Sequence, residues 1–568
     1  MKIIPLFFFA AALNLPVISA PADSQPPILS QSFDRDILPP AYADSTIYDS
    51  RPRALRVHTP TIEVGKDHTL IVAIRDFPLS DGPIPGDMDA VNAIHFLSSK
   101  DAGRTWTKPR LFDVGYAINP TFIRGHGADT WMFYNAHNSE IQDDNSVWFC
   151  KSTDNFQTWT KPQPIQVGFK VHLIAHNGIQ LANGDLVLGF DYDRGNNTEQ
   201  PFAYAKMDRA AAALISADDG KTWKSHGEIE VPNLVSIPNI KSWPVEQVPV
   251  QTADGHLIMF LRTRAGLIYQ ATSADNGREW TDATPLPFSN NDSKVACITL
   301  ANGHLVLLWN DCRLVDTSRR YPLMASVSLD GGKSWAYTVT LNDDGAPVQY
   351  PALTQQDGRL KIIFGHNRTT IRLMDLDEAD LHYGWTIINQ RAAWRVADGV
   401  LRMTDPAPVP APTVWNRWSK AVSFLPAKPK QFTLEADVRF DGPIPADGAI
   451  GVFSSYQDED NWQALIWSGA GKVGLEKQQH FGYVSRPEKF RESQKSWLVD
   501  RKPVSDRWYH VQITQRAASV EYVVKDKATG AVIQQTKIPT TYDGNFIAMG
   551  TLNCTASFDN VELRELAP

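Results

Sequence analysis

Apolar and polar residues alternate over short runs along most of this chain. "DLVLGFDYD" at 185–193 and "HLIMFLRT" at 256–263 are representative. A period of two over four to eight residues predicts half-buried β-strands. "ITLANGHLVLLWND" at 298–311 reads as strand, Asn-Gly turn, strand. The same alternation returns late in the chain, in "FTLEADVRF" at 432–440, "WYHVQITQ" at 508–515, "SVEYVVKD" at 519–526 and "FDNVELREL" at 558–566. The fold class expected is all-β.

A second pattern overlies the strands. Five octapeptides share one plan: "SKDAGRTW" at 99–106, "STDNFQTW" at 152–159, "SADDGKTW" at 216–223, "SADNGREW" at 273–280 and "SLDGGKSW" at 328–335. Their tryptophans, Trp106, Trp159, Trp223, Trp280 and Trp335, are 53, 64, 57 and 55 residues apart. A period near 55 has room for three or four strands with turns, the content of one propeller blade. The box itself reads as structural. Its Asp can accept from nearby backbone N–H groups, its Gly takes positive φ, and its Trp anchors the turn.

Residues 45–380 therefore predict a six-bladed β-propeller, preceded by a segment 21–44. The last repeat, 349–376, holds about three strands, so the chain before residue 60 is expected to supply the missing one. Beyond 380 the boxes stop, a Pro-Ala run intervenes, and 385–568 reads as a β-sandwich.

With 568 residues, 43% of them hydrophobic, the chain has ample material for more than one core. The formal net charge of −8, without long basic runs, argues against a nucleic-acid partner. "MKIIPLFFFAAALNLPVISA" has one Lys, a short apolar run and small residues ending at Ala20. That is the pattern of a cleaved signal peptide over 1–20, so a secreted or periplasmic location is expected. The run is too short, and broken by Asn14 and Pro16, for a membrane anchor. No later segment is long enough to span a membrane. Cys297 and Cys312 flank the 298–311 hairpin; a disulfide between them and two buried thiols are both open. No spacing suggests zinc, and no metal or cofactor is expected.

Ser-x-Asp-x-Gly-x-Thr-Trp resembles the Asp-box of the sialidase (neuraminidase) superfamily, and 385–568 resembles the concanavalin-like jelly rolls attached to secreted sugar enzymes. Other segments, over about 55–375, extend the first resemblance. In "VEQVPVQTADGHLIMFLRTR" at 245–264, Glu246 lies eight residues before Asp254 and Arg262 eight after; Arg320 lies ten before the box residue Asp330. "QYPAL" at 349–353 is similar to the family's Tyr-Ser-x-Leu and gives Tyr350; "NPTFI" at 119–123 and "NGIQLANGDLV" at 177–187 also match. The resemblance implies a retaining exo-glycosidase acting on a terminal acidic sugar. Tyr350 would be the nucleophile, Glu246 its base, and Arg262 and Arg320 the clamp on the substrate carboxylate. An acid/base Asp is implied before the first box, where Asp87 and Asp89 both stand.

The pattern breaks at "RVHTPTIEV", 56–64. Where the family has an arginine two residues before the proline, this chain has His58, with Arg56 two residues earlier on the same face of the strand. His58 with Tyr350 and Arg262 would suit the alternative, a uronate-specific lyase on the same scaffold, in which a base removes a proton next to a carboxylate. His172 and His176 are further candidates for the pocket. A non-catalytic glycan-binding protein is the third reading. The partner expected in each case is a glycan; oligomeric state is left open.

Overall fold

The computed structural model describes residues 29–31, 33, 37–53, 55–78, 93–115, 117–138, 141–167, 171–193, 209–231, 244–263, 265–290, 292–311, 320–342, 344–389, 393–405, 418–424, 428–458, 461–480, 491–498, 501–539, 542 and 544–566. These residues form strands almost throughout. Among them no helix is long and apolar enough to cross a membrane.

Six four-stranded antiparallel sheets follow one another along the chain. Sheet one holds Leu55–Val64, Leu70–Pro78, Ala93–Ser99 and Arg110–Phe112. Sheet two begins with Ala117–Arg124, sheet three with Val171–Gln180, sheet four with Val245–Gln251, sheet five with Ala296–Thr299 and sheet six with Val348–Gln356. The fourth strand of sheet six is Ser45–Asp49, which pairs with Thr370–Leu376. The expected contribution from before residue 60 is thus present.

That pairing also explains why six sheets carry five boxes. Each box is the turn from the third strand of a sheet to its fourth, as between Ala93–Ser99 and Arg110–Phe112. Sheet six has no such turn, because its fourth strand comes from the other end of the repeat. In the first box, Asp101 accepts from Thr105 N–H at 2.9 Å and Thr105 Oγ1 at 2.6 Å, while Trp106 Nε1 donates to Gly103 O at 2.9 Å. Gly103 sits at φ +91°. The second box replaces that Gly with Phe156, held at φ +68° in spite of its side chain.

The first strand of each sheet lies against the first strand of the next, and the first strand of sheet six lies against that of sheet one. The arrangement is propeller-like. At the C-terminal ends of these six strands is a cavity of about 370 Å³, to which every sheet contributes a residue: Glu63, Arg124, Gln180, Gln251, Thr299 and Gln355. Strands alternate in direction within each sheet, so the box turns lie at this same end. The opposite end gathers the starts of the first and third strands and the ends of the second strands. Sheets six and one are joined there by Asp76, whose Oδ2 accepts from Tyr48 Oη and Arg53 Nη1, both at 2.8 Å. Burial pushes this carboxyl up to about 6.

The remaining chain forms two larger sheets, of eight and seven strands, packed face to face. Alternation is visible here: along Trp508–Arg516 and Ser519–Asp526 every second residue is buried. The sequence placed 21–44 outside this unit. Instead, Leu29–Gln31 pairs with Ala556–Glu565, and Phe33 and Leu38 are buried in the same core. The apolar surface of this early segment has nowhere else to be hidden from water. A second core crosses between the two parts. Phe288 and Trp309 stack at 4.8 Å and meet Phe424 and Phe546 from the seven-stranded sheet.

Cys297 is a buried free thiol. Its partner across the hairpin is Leu307, and Cys312 lies outside the described residues. Segment 1–20 is also outside them.

Candidate functional site

The end of the ring opposite the box turns holds most of the residues the sequence singles out. The first strands of sheets one, two, four and six are each interrupted near their start by a bulge: between His58 and Thr61, Ile118 and Thr121, Val245 and Val248, and Gln349 and Ala352. Inside each bulge one non-glycine residue has positive φ: Thr59 at +45°, Asn119 at +55°, Glu246 at +49° and Tyr350 at +49°. Such backbone costs about 1–3 kcal/mol per residue and re-aims the side chain out of the sheet's alternation. Proline follows in three of the four cases, Pro60, Pro120 and Pro351.

Tyr350 and Glu246 are both buried. Arg262, the last residue of Leu257–Arg262, stands directly across from Val245. Its Nη1 donates to Glu246 Oε2 at 2.5 Å, and its Nε and Nη2 donate to Asp292 Oδ1 at 3.0 and 2.7 Å. Burial works against the charge of Arg262, but Asp292, Glu246 and Tyr350 more than offset it and hold its pKa well above the usual value. These bonds use three of the five N–H donors of its guanidinium. Arg320 lies just before Leu323–Ser328. Its Nη2 donates to the Asp292 carbonyl at 2.8 Å, and its guanidinium carbon is 5.2 Å from the centre of the Tyr350 ring. The backbone N–H of Val348 donates to Arg320 O at 2.8 Å, tying this arginine to the tyrosine's strand.

His58 comes to the same place. Its ring centre is 4.2 Å from that of Tyr350, at 60°. Burial, then the guanidiniums of Arg75, Arg320, Arg368 and Arg262, hold the His58 imidazole well below its ordinary pKa, so it is neutral near pH 7. Arg56 faces the same side of sheet one and lies 6.0 Å from the centre of the Phe77 ring. The structure thus brings together Tyr350, Glu246, Arg262, Arg320 and His58, with Arg56 further along the His58 face. Asp87 and Asp89 lie outside the described residues, as do the side chains of His172 and His176.

Several neighbours escaped sequence reasoning. Asp292 has no motif around it, yet both arginines bind it. Arg75 pairs with His58 in register, and its guanidinium carbon is 5.4 Å from the Phe77 ring centre. An arginine closing the apolar run "TLIVAIRDF" was the available signal. Lys294 is fully buried; its Nζ donates to Pro351 O, next to Tyr350, at 3.3 Å. Burial pushes its ammonium down to about 7, with Glu246 pulling the other way. Asp191, also fully buried, is pushed up to about 7 by burial; Arg209 lowers it and the Glu246 charge raises it.

Residues 115–362 match the family model described as BNR repeat-like domain. Among solved structures, the chain is similar to a protein of unknown function from Dyadobacter fermentans DSM 18053, at 17% identity and a TM-score of 0.47, covering 60% of this chain and 99% of that one. The Hadza microbial sialidase Hz136 is 16% identical with a TM-score of 0.47, over 60% of this chain and 69% of that one. Trypanosoma rangeli sialidase in complex with sialic acid is 15% identical with a TM-score of 0.44, over 93% and 97%.

Proposed function

We propose that this protein is a secreted, sialidase-like exo-glycosidase that removes a terminal acidic sugar, sialic acid or a relative, from glycans. In this reading the six sheets are the blades of a closed propeller, 385–568 is a concanavalin-like jelly roll, and 1–20 is a cleaved signal peptide. The observation that carries it is the meeting of Tyr350, Glu246, Arg262 and Arg320, from three different sheets, at the end of the ring opposite the box turns.

The chemistry follows from charge. A carboxylate beside the anomeric carbon repels a carboxylate nucleophile, whereas a neutral phenol escapes that repulsion. Arg262 and Arg320 take the substrate carboxylate. The Tyr350 phenol oxygen bonds to the anomeric carbon as its proton passes to Glu246, and Asp87 or Asp89 protonates the departing glycosidic oxygen. Water then attacks the same carbon, losing its proton to that Asp. The carbon–phenol bond breaks and Glu246 returns its proton to Tyr350. Two inversions give retention.

The contact between His58 and Tyr350 favours a second reading, a uronate-specific lyase. A neutral imidazole can accept the proton next to a carboxylate, and the guanidiniums that lower its basicity also stabilise the negative charge that develops on the substrate. One incubation separates the readings. Full-length protein is given sialyl conjugates and, separately, uronate-capped oligosaccharides. Free sialic acid, without the ultraviolet absorbance of an unsaturated uronate, supports the glycosidase. Rising absorbance supports the lyase. Binding without turnover replaces both with a glycan-binding role.

A further inference from the structure

The residue that fixes both arginines is Asp292, and Asp292 is not held by the propeller-like part alone. Three residues before it, Ser289 ends the fourth strand of sheet four. Ser289 Oγ donates to Asp458 Oδ2 at 2.8 Å, a fully buried contact between the two parts of the chain. Asn461 Nδ2 donates to the other oxygen of Asp458 at 2.8 Å. The neighbouring Gln457 donates from Nε2 to Pro287 O at 2.8 Å and to Ser289 Oγ at 3.1 Å; its Oε1 accepts from Asn545 Nδ2 at 2.8 Å. Asp458 and Asn461 face each other at the tip of the hairpin formed by Ala449–Asp458 and Asn461–Ser468, in the seven-stranded sheet. Tyr456 on the same strand is buried and reaches Asp311 Oδ2 at 3.5 Å.

On the other side, the segment is tied into the site. The Asp292 N–H donates to Thr263 O at 2.9 Å, Asn290 N–H to Gly266 O at 3.1 Å, and Ser293 Oγ to Asn310 Oδ1 at 2.6 Å. Asp292 itself sits at φ +52°, a conformation that must be imposed by its surroundings. Phe288, beside Ser289, is packed between Trp309 and Trp335 of the propeller-like part and Phe546 of the sandwich.

We propose that the C-terminal sandwich is a working part of the carboxylate-binding site: Asp458 and Gln457 are positioning residues that hold the 287–290 strand end, and through it Asp292, so that Arg262 and Arg320 point at the substrate. The inference rests on the reading that these two arginines receive the substrate carboxylate. The apolar contact of Phe288 with Phe546 already joins the two parts. Here two polar side chains, both buried, end on the strand that delivers the shared arginine partner. An arginine released from that partner swings, and binding of the substrate anion weakens before the chemical step does.

The test uses the full-length protein with Ser289→Ala, Asp458→Asn and the double variant. Ser289→Ala removes a single hydroxyl, so it keeps the experiment informative should Asp458→Asn fold poorly. Two readouts are taken. The first is kinetics on an acidic glycoside: KM should rise about fivefold or more in each single variant, with kcat within about twofold. The double variant should be no worse than the poorer single, since both remove one link. The second is hydrogen–deuterium exchange of peptides spanning 288–293, where the Asp292 amide should exchange faster than in the wild type. Unchanged KM with unchanged exchange overturns the proposal. So does a loss confined to kcat. If the wild type acts on no acidic glycoside, the functional reading fails by itself; faster exchange in the variants then still supports the sandwich as the holder of Asp292, and unchanged exchange refutes it.

Discussion

Glu246 and Tyr350 occupy the same position in two different sheets: each is the positive-φ residue of the bulge that breaks a first strand, and both have φ +49°. The repeat therefore supplies equivalent places at which a sheet can aim a side chain out of its alternation. Arg262 connects the pair, bonded to Glu246 and close enough to Tyr350 for its charge to be felt.

Replacement at these places should remove turnover while leaving the fold. Tyr350→Phe keeps the ring against His58 and Arg320 and loses only the phenol oxygen. We expect kcat to fall at least about a hundredfold, and Glu246→Gln to cost about 10²–10⁴-fold. Ligand binding by calorimetry should survive Tyr350→Phe. Full activity in that variant would rule out both the glycosidase and the lyase mechanisms.

Asp292→Ala should be destabilising. It leaves Arg262 buried with one carboxylate instead of two, and the loss of such charge-assisted hydrogen bonds costs about 1.5–3 kcal/mol. Denaturant unfolding measures the loss. Arg262 still holds Glu246 in that variant, so the double variant Asp292→Ala/Arg262→Met, which strips the buried Glu246 of its guanidinium, should be destabilised further; equal or smaller loss would show that the Arg262–Glu246 pair does not support the fold.

Lys294→Met should stabilise the protein in a pH-dependent way. The folded-state pKa of Lys294, about 7, lies below its ordinary value of 10.5. Between those values the unfolded chain binds a proton that the folded one does not, so wild-type stability rises with pH across that window and its penalty is complete below pH 7. Methionine abolishes the penalty. The stability gained should be a few kcal/mol at pH 6, shrinking towards zero by pH 10. Melting curves at pH 6, 8 and 10 decide this; a gap independent of pH contradicts it.

The box aspartates predict the opposite limb. Hydrogen bonds from Thr105 and Ser99 push Asp101 down to about 2, and those from Thr222 and Ser216 do the same for Asp218. A depressed carboxyl stabilises above its ordinary pKa near 3.8 and loses that contribution as pH falls through about 2. Asp218→Asn should therefore melt below the wild type at pH 5, with the two curves converging near pH 2. Activity should be unchanged, because the box turns lie at the end of the ring away from Tyr350.

Much of this was legible in the residues alone. Strands such as Ser519–Asp526 appear where alternation put them, because burying one face of a strand needs only period two. The boxes were readable for a similar reason: every contact inside them spans four residues or fewer. The resemblance named Glu246, Arg262 and Arg320 by their offsets from a turn or box, and Tyr350 by the similarity of "QYPAL" to Tyr-Ser-x-Leu.

What stayed hidden were the particular side-chain contacts made between distant segments, although the pairing of Ser45–Asp49 with Thr370–Leu376 was expected from the short last repeat. Ser289 and Asp458 are 169 positions apart, and Arg262 and Asp292 are 30. No local period records such pairs. Alternation and spacing were enough for an all-β chain and a repeat near 55 residues, and the resemblance for the residue types of the site. It took the folded chain to show that Asp292 binds both arginines, that His58 lies against Tyr350, that Lys294 is buried against Pro351, and that Leu29–Gln31 pairs with Ala556–Glu565. The physical reason is that periodicity encodes which side of a strand meets water, whereas closing a ring chooses which distant side chains meet each other.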